Sequence, residues 1–386
     1  MIYAVNLLTR SENGKFQYYM GYLPLVLSVA EFGLPSAVVK YLSASIDDKR
    51  AISEILTATV IIKLLIIIFL FLVSIFVYYN TGEDYISIYI TTLGGIIMSF
   101  VSYFESIFVS FRFYISLAIW NPLTNIIRLV SLYCINHLVE TPLGYIDILS
   151  IFTLTPIFIL VFFFIIFPKS KLYWSGIQIS KLKSIIKQIT IFNFWAFLAS
   201  IFAITSDRLE IFMIKTYHSS NDVAIYGTAL QLFSGFVILF STLNSLVLPK
   251  LSSLMENTEE FKKVLIKSVM VGLSFALLLS PGFFLAEPIL NFLFDSKYQE
   301  SIPVFKILYP NYLLQLVFAP LGIALFAMGK PKILAILALL RLIFGYILDT
   351  QLIPEFGVMG AGASFFLGQI ISWLILLGYF WASFWR

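Results

Sequence analysis

The sequence predicts an all-α polytopic membrane protein, and three observations carry that prediction. Of 386 residues, 60% are hydrophobic and only 12% are charged, against roughly 25% charged in a typical soluble domain. Mean hydropathy is +0.95. Apolar runs of about twenty residues, the length that crosses ~30 Å of hydrocarbon at 1.5 Å per residue, recur along the whole chain. A soluble globular enzyme is excluded.

Apolar windows between charged or turn-rich breaks give about eleven transmembrane helices, at 16–42, 54–79, 85–111, 113–137, 148–167, 190–213, 225–249, 265–292, 303–327, 333–348 and 360–383. The opening stretch MIYAVNLLTRSENG lacks a basic segment followed by an apolar one, so the first span serves as its own insertion signal. With the residues before Phe16 outside, sixteen of the 25 lysines and arginines fall inside and five outside, namely Arg10, Lys15, Arg208, Lys215 and Lys297. The remaining four, Lys63, Arg128, Lys306 and Arg341, lie within spans. Basic residues are retained on the cytoplasmic side, so this bias predicts a cytoplasmic C-terminus. The net charge of +4 follows from that topology and points to no nucleic acid. Cys134 is the only cysteine, which excludes an internal disulfide framework and a cysteine-based metal site.

The longest connection is SKLYWSGIQISKLKSIIKQI, Ser170 to Ile189. Its apolar residues fall near helical spacing among Lys181, Lys183 and Lys187, which fits a segment resting in the headgroup layer or a basic linker that enforces topology. The two sides of this linker resemble each other. GKFQYYMGYLPLVLSVAEFGLPSAVVKYLSASIDDKRAISEIL from Gly14 parallels AIYGTALQLFSGFVILFSTLNSLVLPKLSSLMENTEEFKKVLI from Ala224. Arg128 and Arg341 each follow a proline, Pro122 or Pro331, near the start of a helix. The expected organisation is therefore two pseudo-symmetric bundles, 1–167 and 190–386, joined by a basic cytoplasmic linker at 168–189. Parallel repeats of this kind are a transporter architecture with the substrate between the halves. The first half has one helix fewer, since NLLTRSENG matches the tail of a span in the second half; twelve helices are expected, with most of the first missing.

Several segments carry a family resemblance: LIPEFGVMGAGASF from Leu352, SDRLEIFMI from Ser206, AIYGTALQL from Ala224, PKLSSL from Pro249, AMGKPKI from Ala327 and EFGLPSAVVKYLS from Glu31. Together the chain resembles Wzx-type O-antigen and polysaccharide flippases, of the superfamily that includes MATE exporters and the lipid II flippase. The resemblance implies export of an undecaprenyl-pyrophosphate-linked oligosaccharide across the bacterial cytoplasmic (inner) membrane, driven by an H+ or Na+ gradient. It also implies a polysaccharide polymerase and other assembly proteins as partners. No cofactor is expected and no chemical step.

Charges inside the spans are the candidate site. Arg341 sits ~10 to 12 Å from either end of its expected helix at helical rise, too deep for easy snorkelling. An intramembrane arginine costs at least ~2.5 to 3.5 kcal/mol on insertion scales, which makes function its default reading. A guanidinium pairs with pyrophosphate oxygens in a fork that lysine cannot reproduce, so Arg341 and its repeat mate Arg128 are candidate substrate residues; the alternative is an ion pair that locks helices. Asn193, Ser200 and Asp207 recur every seven residues, and Gln231, Ser234, Ser241 and Ser245 share a face of the next helix, so Asn193, Asp207 and Gln231 are candidate walls of a hydrated cavity. Serines also serve helix packing. Glu31, beside Gly33 and Pro35, is the candidate for a coupling ion, with a packing role as the alternative. Arg208 and Glu210 read as an interfacial ion pair, and Lys63, Glu105 and Lys306 as snorkelling groups.

The stretch GIALFAMGKPK has the wrong spacing for a nucleotide loop and a proline where Ser or Thr should follow the lysine, so no ATPase is implied. His137 and His218, the only histidines, both sit at expected outer ends. Two other functions stay open: a MATE-like exporter of small cations, which calls for carboxylates where two arginines stand, and an integral membrane glycan polymerase or acyltransferase.

Overall fold

The computed structural model describes residues 1–45, 48–81, 84–138, 142–166, 179–255 and 257–384. Every regular element among them is helical: α1 (Ile2–Leu7), α2 (Arg10–Glu31), α3 (Leu34–Ala44), α4 (Lys49–Thr81), α5 (Tyr85–Ser110), α6 (Tyr114–Leu138), α7 (Tyr145–Leu154), α8 (Pro156–Ile166), α9 (Ile179–Tyr217), α10 (Ser220–Gln231), α11 (Ser234–Ser252), α12 (Thr258–Leu279), α13 (Ala286–Phe294), α14 (Ser301–Ala327) and α15 (Pro331–Phe384), with short 3-10 turns at Ser280–Phe283 and Asp295–Tyr298. Nine helical stretches of the described residues are long and apolar enough to cross a membrane. Each of the eleven expected spans falls on helix, and α15 takes the last two. The chain is a multi-pass, all-α membrane protein.

Four expected spans, 16–42, 148–167, 225–249 and 265–292, are broken rods, the last by the 3-10 turn at Ser280–Phe283. Between α2 and α3 the backbone turns left-handed at Phe32 (φ 46°) and Gly33 (φ 69°), and Pro35 starts the next helix. A Cβ on Gly33 would lie 3.1 Å from the Asn193 side chain. Pro156 lacks the amide proton needed to continue α7, so α8 begins there. Within α15, Gly357 (φ 56°, ψ −133°) kinks the rod three residues after Pro354. The break between α10 and α11 has no proline; Phe233 occupies it, stacked 4.0 Å from the Tyr312 ring and 4.8 Å from that of Phe305.

By contacts the chain divides into two compact units, Tyr19–Ile201 in one and Met1–Tyr18 with Phe202–Arg386 in the other. The first unit has its core where Tyr103, Ile107 and Phe108 of α5 meet Trp120 of α6 and Phe163 of α8. Residues 167–178 of the predicted linker lie outside the described residues. From Ile179 the chain is already helical, and Leu182, Ile185, Ile186 and Ile189 pack against Leu34, Ala37, Ala58 and Ile62. Their helical spacing is spent on a protein face, while Lys181, Lys183 and Lys187 stay exposed.

In the second unit, α12 packs on α14, α14 on α11 and α15, around Val247, Leu251, Phe261, Leu325 and Phe380. The N-terminal residues join it through a polar clasp. Arg10 Nε donates to the Lys297 carbonyl at 2.8 Å and its Nη1 pairs with Glu300 at 3.0 Å. Asn13 donates to the Tyr298 hydroxyl at 2.9 Å and to Thr228 at 3.2 Å. The Lys297 ammonium caps the end of α1 at the Val5 and Leu8 carbonyls. Burial and the nearby Arg10 charge hold that ammonium below the usual lysine range.

Candidate functional site

In a bilayer the apolar side chains face outward and polar groups collect between helices. On α4, Leu65, Leu72 and Phe76 are exposed, whereas Ser53, Thr59 and Lys63 are buried. Lys63 is only 1% exposed, which corrects its reading as a snorkelling group. Its Nζ donates to the Ser99 carbonyl at 2.9 Å and to the Ala30 carbonyl at 3.5 Å, between the rings of Phe100 at 4.9 Å and Tyr103 at 5.6 Å. α4 begins at Lys49, several residues earlier than its hydropathy suggests, so Lys63 lies too deep to reach either surface. Ala30 lies in the last turn of α2, where the break at Phe32 leaves carbonyls without helical partners, and a cation there complements the helix dipole. Glu31 completes the cluster: Ser102 hydrogen-bonds it, Lys63 attracts it, and it acts on Glu105 through its charge.

Arg128 and Asn193 belong to this same unit. Arg128 Nη2 donates to the Phe152 carbonyl at 2.9 Å, its Nη1 reaches Asn125 Oδ1 at 3.5 Å, and the Phe152 ring lies 5.3 Å from the guanidinium. It forms no ion pair with a described carboxylate, and its Nε has no hydrogen-bond partner. Asn193 is buried against the Gly33 break with its amide nitrogen unpartnered. The seven-residue stripe on α9 thus divides: Asn193 and Ser200 fall in one unit and Asp207 in the other.

In the second unit Arg341 meets Asp207. The closest approach, Nη2 to Oδ1, is 2.7 Å, with the arginine side chain 13% exposed and the aspartate 53%. The Phe365 ring lies 5.2 Å from the guanidinium carbon. The ion pair foreseen as the alternative for both arginines is therefore present at Arg341 and absent, among the described residues, at Arg128. One turn along α9 from Asp207, Glu210 is buried rather than exposed at an interface, which corrects its reading as an outer-end ion pair. α9 runs on to Tyr217, beyond the predicted end of that span. Glu210 feels the charges of Asp349, Arg341 and Asp207. Asp349 is also fully buried; α15 continues past it where the sequence reading ended a helix at 348. Among the described residues, Glu210 Oε2, the Tyr226 hydroxyl and both polar atoms of the Gln231 amide lack a hydrogen-bond partner, and the Asp349 carboxylate faces the Ser364 hydroxyl alone. Buried polar atoms in that state call for water or an ion. Sequence reasoning missed Asp349 and the depth of Glu210, although Asp207 and Glu210 at i, i+3 and Asp349 eight residues after Arg341 are spacings that bring side chains toward shared faces.

A family model described as polysaccharide biosynthesis protein matches residues 1–255, the larger part of the chain. The chain belongs to the polysaccharide biosynthesis protein family. A capsular polysaccharide biosynthesis protein of Staphylococcus aureus, CapF, is 24% identical to this family member, over 98% of this chain and 93% of CapF. Among solved structures, an inward-facing MATE multidrug resistance transporter superposes with a TM-score of 0.77 at 12% identity, covering 98% of this chain and 91% of that one. The lipid II flippase MurJ superposes at 0.70 with 16% identity, over 96% and 81%. At these identities the likeness is one of fold, so this polysaccharide biosynthesis protein shares the architecture of MATE exporters and MurJ.

Proposed function

We propose that the protein is a Wzx-type flippase, which moves an undecaprenyl-pyrophosphate-linked oligosaccharide across the bacterial inner membrane by ion-coupled alternating access. The observation that carries this reading is an arginine, Arg341, deep in a span of a polysaccharide biosynthesis protein, whose one ion pair is with a half-exposed carboxylate. A pyrophosphate offers that guanidinium two anionic oxygens. Arg128, bonded only to neutral groups, is the second arginine of the proposal, and Asn193, Asp207 and Gln231 line the sugar path. Alternating access comes from movement of the bundles at 1–167 and 190–386, with the C-terminus cytoplasmic. Coupling H+ or Na+ binds at carboxylates within the spans: the half-buried Glu31 in one unit and the buried Glu210 and Asp349 in the other. Polymerase and other assembly proteins take the glycan onward, and no chemical step occurs on the flippase itself.

The fold likeness to a MATE transporter and the buried carboxylates support a second reading, export of a small cation. One experiment separates the two. In cells whose copy is deleted, the flippase reading expects lipid-linked oligosaccharide to accumulate in the inner leaflet and surface glycan to disappear. Unchanged glycan with increased sensitivity to cationic drugs would overturn it in favour of the exporter. Conversion of a labelled lipid-linked glycan by the purified protein would instead mark an enzyme.

A further inference from the structure

Arg341 and Asp207 are unequal partners. The guanidinium is nearly buried and pinned against the Phe365 ring, while the carboxylate is more than half exposed. The closest contact joins Asp207 Oδ1 to Arg341 Nη2 at 2.7 Å, and no hydrogen bond to another described residue holds the guanidinium. A buried cation needs compensating partners, because desolvation penalises an uncompensated charge, and Arg341, unlike Arg128 or Lys63, has no described carbonyl to supply them. On the flippase reading Asp207 lines the hydrated substrate path, where an exposed carboxylate is released to water at small cost.

Resting on the flippase reading above, we propose that Asp207 is a displaceable counter-anion: it occupies the Arg341 seat when no substrate is bound, and a pyrophosphate group ejects it. The seat selects by charge and shape. A free monoanionic carboxylate offers the guanidinium the same group as the tethered Asp207 and must lose translational freedom to do so, so it gains nothing over it. A diphosphate supplies two adjacent oxygens to the fork and more charge, so it wins the exchange. The buried arginine is neutralised at each stage of the cycle, and unwanted anions are refused.

The test uses the full chain in lipid nanodiscs, with inorganic pyrophosphate as probe and binding read by calorimetry. Removing the competitor in Asp207→Asn is expected to tighten pyrophosphate binding about fivefold or more, the equivalent of an ion pair near 1 kcal/mol. It should also lower the Tm of the unliganded protein and let pyrophosphate restore it. Acetate should not bind the native protein. Unchanged or weaker pyrophosphate binding by Asp207→Asn overturns the proposal, and so does a variant that pyrophosphate cannot restore to a folded state, since Asp207 would then be structural. Native pyrophosphate affinity in Arg341→Ala is a different failure: it removes the anion seat on which the flippase reading depends. Farnesyl pyrophosphate distinguishes the source of the anion. Binding within about threefold of inorganic pyrophosphate, with the same gain in Asp207→Asn, supports a lipid-linked ligand; exclusion of the farnesyl compound overturns that part.

Discussion

The Lys63 ammonium, in the middle of α4, donates to the Ser99 carbonyl of α5 across 2.9 Å and also reaches the Ala30 carbonyl at the end of α2. One buried cation thereby ties three helices at the point where one of them breaks. Lys63→Met keeps the apolar stem and removes the charge. A hydrogen bond to a charged group contributes about 1.5 to 3 kcal/mol, so the variant should unfold at a clearly lower temperature in detergent, with Glu31 left without its counter-charge. Adding Glu31→Gln should recover part of the loss. Equal melting of Lys63→Met and the native protein would show that the lysine holds nothing together.

Close helix contact supports a second prediction. A Cβ on Gly272 of α12 would land 2.2 Å from the Leu316 carbonyl oxygen of α14, whereas one on Gly235 would meet nothing within 4 Å. Small residues let membrane helices approach backbone to backbone. Gly272→Val should therefore force α12 and α14 apart and reduce folded yield, and Gly235→Ala should leave yield unchanged. Fluorescence-detected size-exclusion chromatography of the two variants reads this directly; similar monodisperse peaks would contradict the packing argument.

A third prediction concerns orientation. Lys181 is exposed at the start of α9, and the lysine and arginine distribution leads us to expect it on the cytoplasmic side. In a Cys134→Ser background, a cysteine at 181 should resist an impermeant thiol reagent in intact cells and react once the cells are opened. Labelling in intact cells would invert the topology.

The buried carboxylates give a fourth. Glu210→Gln and Asp349→Asn should each leave Arg341 and the fold in place while uncoupling glycan export from the ion gradient. Export in inverted vesicles that still accelerates with an imposed gradient in the double variant would remove this pair from the coupling site.

What the sequence made legible follows from locality. Spans are set by runs of apolar residues, which act on their own neighbours, so the helices could be placed from hydropathy, whereas the breaks at Gly33 and Pro156 fall inside spans that hydropathy reads as continuous. The meeting of Arg341 with Asp207 was half legible: depth and the seven-residue stripe singled out both residues, but no pattern said that they touch. Lys63 and Glu210 were misjudged for one reason. Helix ends were set by hydropathy, and polar turns extend α4 to Lys49 and α9 to Tyr217, which moves both charges inward. Asp349 fell beyond an expected helix end for the same reason. The carbonyls that satisfy Lys63 come from α2 and α5, and a backbone acceptor exposed by a distant break leaves no mark on the sequence around the lysine.

The last prediction joins the two arginines. If Arg341 and Arg128 both hold the pyrophosphate of a lipid-linked glycan, Arg341→Ala and Arg128→Ala should each abolish or sharply reduce surface glycan while the protein remains in the membrane. The structural settings predict a difference in stability. Arg341→Ala strands Asp207, which is half exposed and can turn to water, so the fold should tolerate it. Arg128→Ala frees the Phe152 carbonyl, bonded at 2.9 Å, and should cost about 1.5 to 3 kcal/mol. Lysine at either position should restore export only in part, because a point charge attracts the anion without the fork. Together the two alanines should cost less than the sum of the single losses, since both arginines act on one bound group. A lock between helices would behave otherwise at Arg341: Arg341→Ala would lose folded protein, and Asp207→Ala added to it would bring the protein back. Export at the native level by a well-expressed double alanine variant would leave the pyrophosphate without either arginine and end the proposal.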